Sequence, residues 1–202
     1  FKEGYNSGRN YIDSIQTSIV VLVGGTFASG GSMAVNMWYE RDIDPLMERT
    51  ENRPIQSGFI YPNHALLFGI CISLLGVILV STLTNISAGI ITALSALFYT
   101  VVYTMLLKRR TTQNIVIGGL AGSTPPAQGW AAASGEAFDL LPWLMVLTIF
   151  LWTPAHFWAL TLSKRRDYGE AGVPMLPVVS GEETTRNYIF IYCICLILNC
   201  IS

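Results

Sequence analysis

Charge is the scarcest feature of this chain. Of its 202 residues, 12 are Lys or Arg and 13 are Asp or Glu, so charged residues make up 12%. A soluble domain carries about 25%. No formal charge occurs in Ser14–Tyr39, Ala65–Leu83, Ile86–Leu107, Ile115–Ser134 or Leu140–Ser163. A spanning helix needs about 20 mostly apolar residues, and each stretch meets that length. A sixth apolar run opens near Asn187 and continues to Ser202. With 51% hydrophobic residues and a mean hydropathy of +0.47, these gaps exclude an ordinary soluble domain. They predict an all-α, polytopic transmembrane helix bundle forming one domain over 1–202. Its spans fall at about 14–39, 64–83, 86–107, 115–134, 140–163 and 187–202.

Other absences narrow the reading. The chain has no initiator Met, and its last apolar run is short, so the expectation is a fragment with helices lost at both ends. No signal peptide is visible. The four cysteines (Cys71, Cys193, Cys195, Cys200) lie within apolar runs and form no CxxC or Cys/His pairing, which reads as small hydrophobes packed in helices. No low-complexity tract or soluble domain interrupts the pattern. No span interior holds an Asp or Glu, which argues against a cation transporter or channel using buried acids as its pathway.

The charges that are present are placed unevenly. Ten of the 12 Lys/Arg residues fall after the first, third and fifth spans: Arg41, Arg49 and Arg53; Lys108–Arg110; and Lys164–Arg166 with Arg186. Only Lys2 and Arg9 lie on the opposite side, and the connectors Thr84–Asn85 and Gly135–Asp139 carry none. The positive-inside rule puts the basic loops on the cytoplasmic side, or on the matrix side of an organelle. The longest hydrophilic segments, Glu40–Asn63 and Lys164–Arg186, share that side, so the chemistry is expected there. Small residues mark close helix approaches at Gly24, Ala28 and Ser32 and at Gly118 and Gly122. Thr124-Pro125-Pro126 must break the fourth span, as a kink satisfied by neighbours or as a broken helix lining a cavity.

Asn36, Glu40 and Asp44 stand at i, i+4 and i+8, one turn apart on one helix face, with Asp42 on another. Pro45 disfavours helix at Asp44, which predicts that the span ends there and that Asp44 caps a new helix. A carboxamide and two carboxylates at a membrane surface are hard oxygen ligands of the kind Mg²⁺ prefers. Arg49 and Arg53 follow in MERTENRP, and guanidinium groups match phosphate geometry. A solvated helix end with incidental charges is the plainer alternative, but acids and arginines in one loop read as a Mg-diphosphate site. Asp167, embedded among Lys164, Arg165 and Arg166, is a candidate opposite wall. His156, in FLWTPAHFW, is a structural or functional histidine about two turns from the basic loop. His64 reads as a surface residue.

Five stretches carry a resemblance: NMWYERDIDPLMERTENRP (Asn36–Pro54), KRRTTQNIVIGG (Lys108–Gly119), PPAQGWAAA (Pro125–Ala133), WTPAHFWAL (Trp152–Leu160) and DYGEAGVPMLPV (Asp167–Val178). In this order and spacing the chain resembles the intramembrane aromatic prenyltransferase superfamily, whose first motif is Asn-Asp-x-x-Asp-x-x-x-Asp, and most closely its haem-modifying branch. The resemblance implies a nine-helix bundle of which about three helices are absent or partial in this chain. It implies farnesyl diphosphate and haem B as substrates, haem O as product, and Mg²⁺ as cofactor. Metal ligands and catalytic positions would be Asn36, Glu40, Asp44 and Asp167. The diphosphate would be clamped by Arg49, Arg53, Lys108, Arg109 and Lys164, and haem held by Trp152, His156 and Trp158.

The resemblance also implies a bacterial or mitochondrial inner membrane and no nucleic-acid partner. A handover to the next haem-modifying enzyme would follow. Met37 stands where the superfamily has a second acid, and Glu40 where Asp is usual. Asp167 has no acid four residues away, so one Mg²⁺ is better supported than two. A sister enzyme acting on a quinone or chlorophyll precursor would share the acids, but not WTPAHFWAL and DYGEAGVPMLPV.

Overall fold

A computed structural model of the chain describes residues 11–201, with side-chain environments from Asp13 onward. Lys2, Arg9 and Ser202 lie outside the described residues. Among the described residues the chain is all-helical, without strands. The long helices are α1 (Tyr11–Tyr39), α2 (Pro62–Leu83), α3 (Ile86–Leu97), α6 (Leu140–Ser163) and α9 (Gly181–Ile201). Shorter ones are α4 (Asn114–Ser123), α5 (Pro125–Ser134), α7 (Arg165–Glu170) and α8 (Leu176–Val179). Helix α3 runs on without a break as a π-helix, Phe98–Leu107. Five segments are long and apolar enough to cross a membrane: Asp13–Tyr39, Pro62–Leu83, Ile86–Leu107, Leu140–Ser163 and Gly181–Ile201. The protein is therefore an integral membrane protein.

Helix α9 starts at Gly181, before the apolar run that signals it in the sequence. Gly181 sits at φ +80°, a conformation glycine adopts without a Cβ penalty. Glu182 and Glu183 follow in the first turn, where the helix dipole favours negative charge.

The apolar effect cannot hold helices together within lipid, so close contact of small residues must. Helices α1 and α2 show this. A Cβ added at Gly76 would lie 2.4 Å from the carbonyl oxygen of Gly24 and 2.6 Å from the amide of Ala28. One at Gly31 would lie 2.5 Å from the carbonyl of Gly69. Only glycine lets these backbones meet. Gly118 similarly accepts the Tyr103 ring, 2.2 Å from where its Cβ would stand. Gly122, expected to pair with it, has open space instead and borders a cavity. The cysteines correct another expectation: Cys71, Cys195 and Cys200 point outward and only Cys193 is half-buried.

The fourth apolar run is two ten-residue helices, α4 and α5, broken at Thr124. Pro125 and Pro126 have no N–H to continue the ladder, but both fit the first turn of a new helix. Thr124 Oγ1 closes the break against Ser95 Oγ of α3 at 2.6 Å. Of the two expectations, the structure shows the broken helix at a cavity wall: Ala121, Gly122, Thr124, Pro125 and Gln128 line it.

At one end of the bundle, the Asn85 side chain caps α3 by accepting from the Ala88 amide (2.9 Å) and donates to the Ala131 carbonyl (2.7 Å). At the other end Ile43, Met47, Ile115, Tyr168, Ala171, Val173 and Met175 form a buried apolar cluster. It joins the loop after α1 to the segment around α7 and α8, under the basic loops.

Candidate active site at the end of the first helix

Helix α1 ends at Tyr39, but its hydrogen bonding does not stop there. Glu40 N–H donates to the Asn36 carbonyl and Asp44 N–H to the Glu40 carbonyl, both at 2.9 Å. The i, i+4, i+8 stacking of Asn36, Glu40 and Asp44 therefore survives the turn. All three are buried, Glu40 and Asp44 completely.

Each has a partner from another segment. Asn36 Nδ2 donates to Thr104 Oγ1 at 3.2 Å. Lys108 Nζ donates to Glu40 Oε2 at 2.6 Å and lies 2.5 Å from Oε1, yet Oε1 accepts no directed hydrogen bond. Arg53 Nη1 donates to both carboxylate oxygens of Asp44, at 2.9 and 2.8 Å, and stands 3.9 Å from Glu40 Oε2. Two buried carboxylates, buried Lys108 and half-buried Arg53 thus form one charge-balanced group. Thr50 Oγ1 donates to the Asp44 carbonyl at 2.8 Å and holds the Arg53 loop in place.

The short 3-10 turn after α1 corrects one expectation. Its N-cap is Ile43, without a side-chain bond, and Asp44 is its first residue. The Asp44 carboxylate does not cap, because Arg53 takes both of its oxygens.

Burial governs the electrostatics. It pushes the Asp44 carboxyl above the usual carboxylate range, against the opposing pull of Arg53. It also pulls Lys108 below the usual lysine range, against the support of Glu40. Pairing therefore does not fully offset loss of water for either group.

Other predicted site residues fall elsewhere. Arg109 holds Asp42 through two contacts of 2.7 and 2.6 Å and lies over the Tyr39 ring at 5.1 Å. This pairing, which holds the Asp42 carboxyl below its usual range, turns Arg109 to the outer surface and away from Glu40 and Asp44. Lys164 is exposed and pairs with exposed Glu48 at 3.0 Å, a contact worth little. Arg49 is exposed in the same loop. Asp167 is half-buried in α7, within electrostatic reach of Lys164 and Arg166 but not joined to the Glu40–Asp44 group. Among the described residues no three His, Cys, Asp or Glu side chains gather as a metal site; any cation site must use the Asn36 carboxamide or a ligand's own oxygens.

The expected haem trio is divided. Trp152 and His156 stack, ring centroids 4.2 Å apart and 15° from parallel, on an exposed face of α6. Trp158 is fully buried and meets Tyr188 and Tyr192 of α9 edge-on. Two residues along a helix is about 200°, so Trp158 faces away from His156 and cannot share a ligand with it.

Thr104 and Tyr99 were not foreseen. The i, i+4 spacing of Thr104 and Lys108 was available as a signal. The π-helix carrying them was not, since nothing in FYTVVYTMLL distinguishes it from α-helix. Lys108 N–H donates to the Tyr103 carbonyl, five residues back, and such widened turns occur often at functional sites. Below the group, α1, α3, α4 and α5 line a partly open cavity of about 480 Å³ that runs from Ser32, Met33 and Tyr99 down to Val21 and Leu22.

This geometry can be set beside known proteins. The description of the UbiA prenyltransferase family matches residues 7–202. A protoheme IX farnesyltransferase of Caulobacter sp. (strain K31) is 54% identical over 199 residues, which is 98% of this chain and 57% of that protein. One from Acidiphilium cryptum is 53% identical over 170 residues, 84% of this chain and 53% of that protein. The chain spans about half the length of the curated relatives it matches. A solved structure of a UbiA homolog from Archaeoglobus fulgidus, bound to DMAPP and Mg²⁺, superposes with a TM-score of 0.72 at 15% identity, covering 92% of this chain and 65% of that one. Family match and fold agree: the chain belongs to the UbiA prenyltransferase family.

Proposed function

We propose that this chain carries the diphosphate site of a Mg²⁺-dependent enzyme that transfers a farnesyl group from farnesyl diphosphate to a vinyl group of haem B, giving haem O. The observation that carries the reading is the buried Asn36–Glu40–Asp44 face with its two cations, set directly above a cavity. The choice of substrates rests on the relatives named protoheme IX farnesyltransferase.

The residues fit a hard divalent cation. Glu40 Oε1 is buried and, though paired with the Lys108 ammonium at 2.5 Å, accepts no directed hydrogen bond, and Asn36 uses its nitrogen on Thr104, so its carbonyl oxygen remains available. Asn36, Glu40 and Asp44 would hold one Mg²⁺, which when bound neutralises charge on the leaving diphosphate. Arg53 and Lys108, now neutralising the carboxylates, would turn to the diphosphate oxygens, with Arg49 reaching from the loop. They thereby stabilise negative charge where it develops as the allylic C1–O bond breaks. The vinyl carbon of the porphyrin bonds to C1, water adds to the adjacent carbon, and the proton leaves to solvent or diphosphate. The bundle keeps water from the allylic cation until then. Asp167 would stand on the opposite wall without completing a second metal site. The exposed Trp152–His156 face of α6 offers a flat surface to a porphyrin. The active-site loops would face the cytoplasm of a bacterium or the mitochondrial matrix, and the product would pass to the next haem-modifying enzyme.

The test is to incubate membranes containing the enzyme with haem B and farnesyl diphosphate, with and without Mg²⁺, and to measure haem O. Product should appear only with Mg²⁺. Asp44→Asn should lower turnover by more than about a hundredfold, the scale of losing a main electrostatic contact, while inserting normally. Retained activity in that variant would remove the site assignment.

A further inference from the structure

Lys108 and Arg109 are neighbours in the chain, yet the first turns inward to Glu40 and the second outward to Asp42. Something must fix the backbone that parts them. The π-helix delivers Lys108 to its end, where carbonyls lose their helical donors. The Leu107 carbonyl accepts from the amides of Arg110 (2.9 Å) and Thr111 (3.2 Å). Among the described residues, no backbone amide serves the Lys108 carbonyl.

The Asn114 side chain serves it instead. Its Nδ2 donates to the Lys108 carbonyl at 3.2 Å and to the Thr111 carbonyl at 2.8 Å. Both amide hydrogens are thereby used, and the two ends of the Lys108–Thr111 turn are tied to one atom. The Asn114 N–H also donates to the Thr111 carbonyl, at 3.3 Å. Asn114 is the first residue of α4 and is wholly buried. Its Oδ1 is buried without a partner, which is a cost to the fold. The amide is therefore poorly suited as core filling and well suited as a clamp on this turn.

We infer that Asn114 is a positioning residue: by holding the Lys108 carbonyl it sends the Lys108 side chain into the buried Glu40–Asp44 group while Arg109 leaves it. Without the amide, the Lys108 carbonyl has no donor and the turn can open to water. A buried ammonium gains hydration by following it out. The link from Asn114 to Lys108 stands on this geometry alone. The link from Lys108 to turnover rests on the function proposed above.

Two measurements on the full-length enzyme keep those links apart. The first is the rate at which a water-soluble acylating reagent modifies the Lys108 amine, read by mass spectrometry against exposed Lys164. In the native protein Lys108 should react more slowly than Lys164 by about tenfold or more, because burial and Glu40 withhold its amine. Asn114→Leu, which keeps the volume, and Asn114→Ala should each bring Lys108 close to the Lys164 rate. The second is kcat/KM for farnesyl diphosphate with haem B. Each variant should lose about tenfold, and almost none of that in a Lys108→Ala background, because a residue acting through Lys108 has nothing left there to position. Lys108 that stays protected in both Asn114 variants overturns the inference. So does an unchanged kcat/KM, or an equal loss in the two backgrounds, which would make the amide a general support of the fold. Failure of both variants to insert overturns it in the same way. If the Asn114 variants unmask Lys108 but the native protein prenylates no haem, the proposed function fails and the positioning of Lys108 stands.

Discussion

Asp44 and Lys108 are buried charges whose surroundings oppose their charged forms. The Asp44 carboxyl, pushed up by burial, takes its proton at a higher pH than an ordinary carboxyl. The Lys108 ammonium, pulled down by burial, releases its proton at a lower pH than an ordinary lysine. On the proposed function both must be charged to engage a metal and a diphosphate, so the active range should be narrowed from both sides. For folding, both shifts are costs at neutral pH, relieved below the raised value of Asp44 and above the lowered value of Lys108. The pH profile of kcat/KM should thus show an acid limb above the ordinary carboxylate range and an alkaline limb below the ordinary lysine range. Lys108→Arg keeps its charge at high pH and should move only the alkaline limb upward. An alkaline limb that stays put in this variant would show that Lys108 does not set it. The identity of these groups could be read in the sequence, because helical spacing stacks Asn36, Glu40 and Asp44. Their partners could not: Lys108 and Arg109 are adjacent, and only the fold decides that one goes inward to Glu40 and the other outward to Asp42.

At the level of elements, the α1–α2 contact rests on backbone touching backbone. Gly76→Ala would force a Cβ to within 2.4 Å of the Gly24 carbonyl, and neither helix can yield locally. Overpacking of this kind costs about 1–3 kcal/mol. Gly30, also in α1, has nothing within 4 Å, and Gly30→Ala should be neutral or slightly stabilising. Thermal unfolding in detergent should separate the two. Equal melting temperatures would mean that the helices are not held by this seam. Helix α6 supports a second comparison. His156→Ala should alter the absorbance of haem titrated into the protein, because His156 stands exposed beside Trp152. Trp158→Phe should leave the spectrum alone, because Trp158 is sealed against α9. An unaltered spectrum in His156→Ala removes histidine from the haem site. The sequence marks where these helices lie, since charge-free runs are long and apolar. It does not reveal that Gly122 borders a cavity while Gly118 packs, nor that α3 widens into a π-helix. Those follow from which neighbour arrives, and no local pattern records it.

For the whole molecule, the decisive fact is that its two ends differ. The loops after α1, α3 and α6 meet one another through Lys108–Glu40, Arg109–Asp42 and Lys164–Glu48. They form one basic end. At the other end Asn85 joins Ala131 and Trp130 Nε1 donates to Asp139 at 2.5 Å, with no lysine or arginine nearby in the chain. The membrane potential and insertion machinery act on that asymmetry, retaining Lys/Arg-rich loops in the cytoplasm. On the proposed function the diphosphate site lies at the basic end, so orientation and substrate supply become one question: a soluble, charged diphosphate would have to reach it from the side where it is made. Single cysteines at Glu51 and Glu136, both exposed, report on opposite ends once the four native cysteines are replaced by alanine. In inside-out vesicles a membrane-impermeant maleimide should label Glu51→Cys and spare Glu136→Cys; in right-side-out vesicles the pattern should invert. The reverse result would put Asn36, Glu40 and Asp44 on the outer face, and with it the proposal that the enzyme draws its allylic diphosphate from the cytoplasm or matrix would fail.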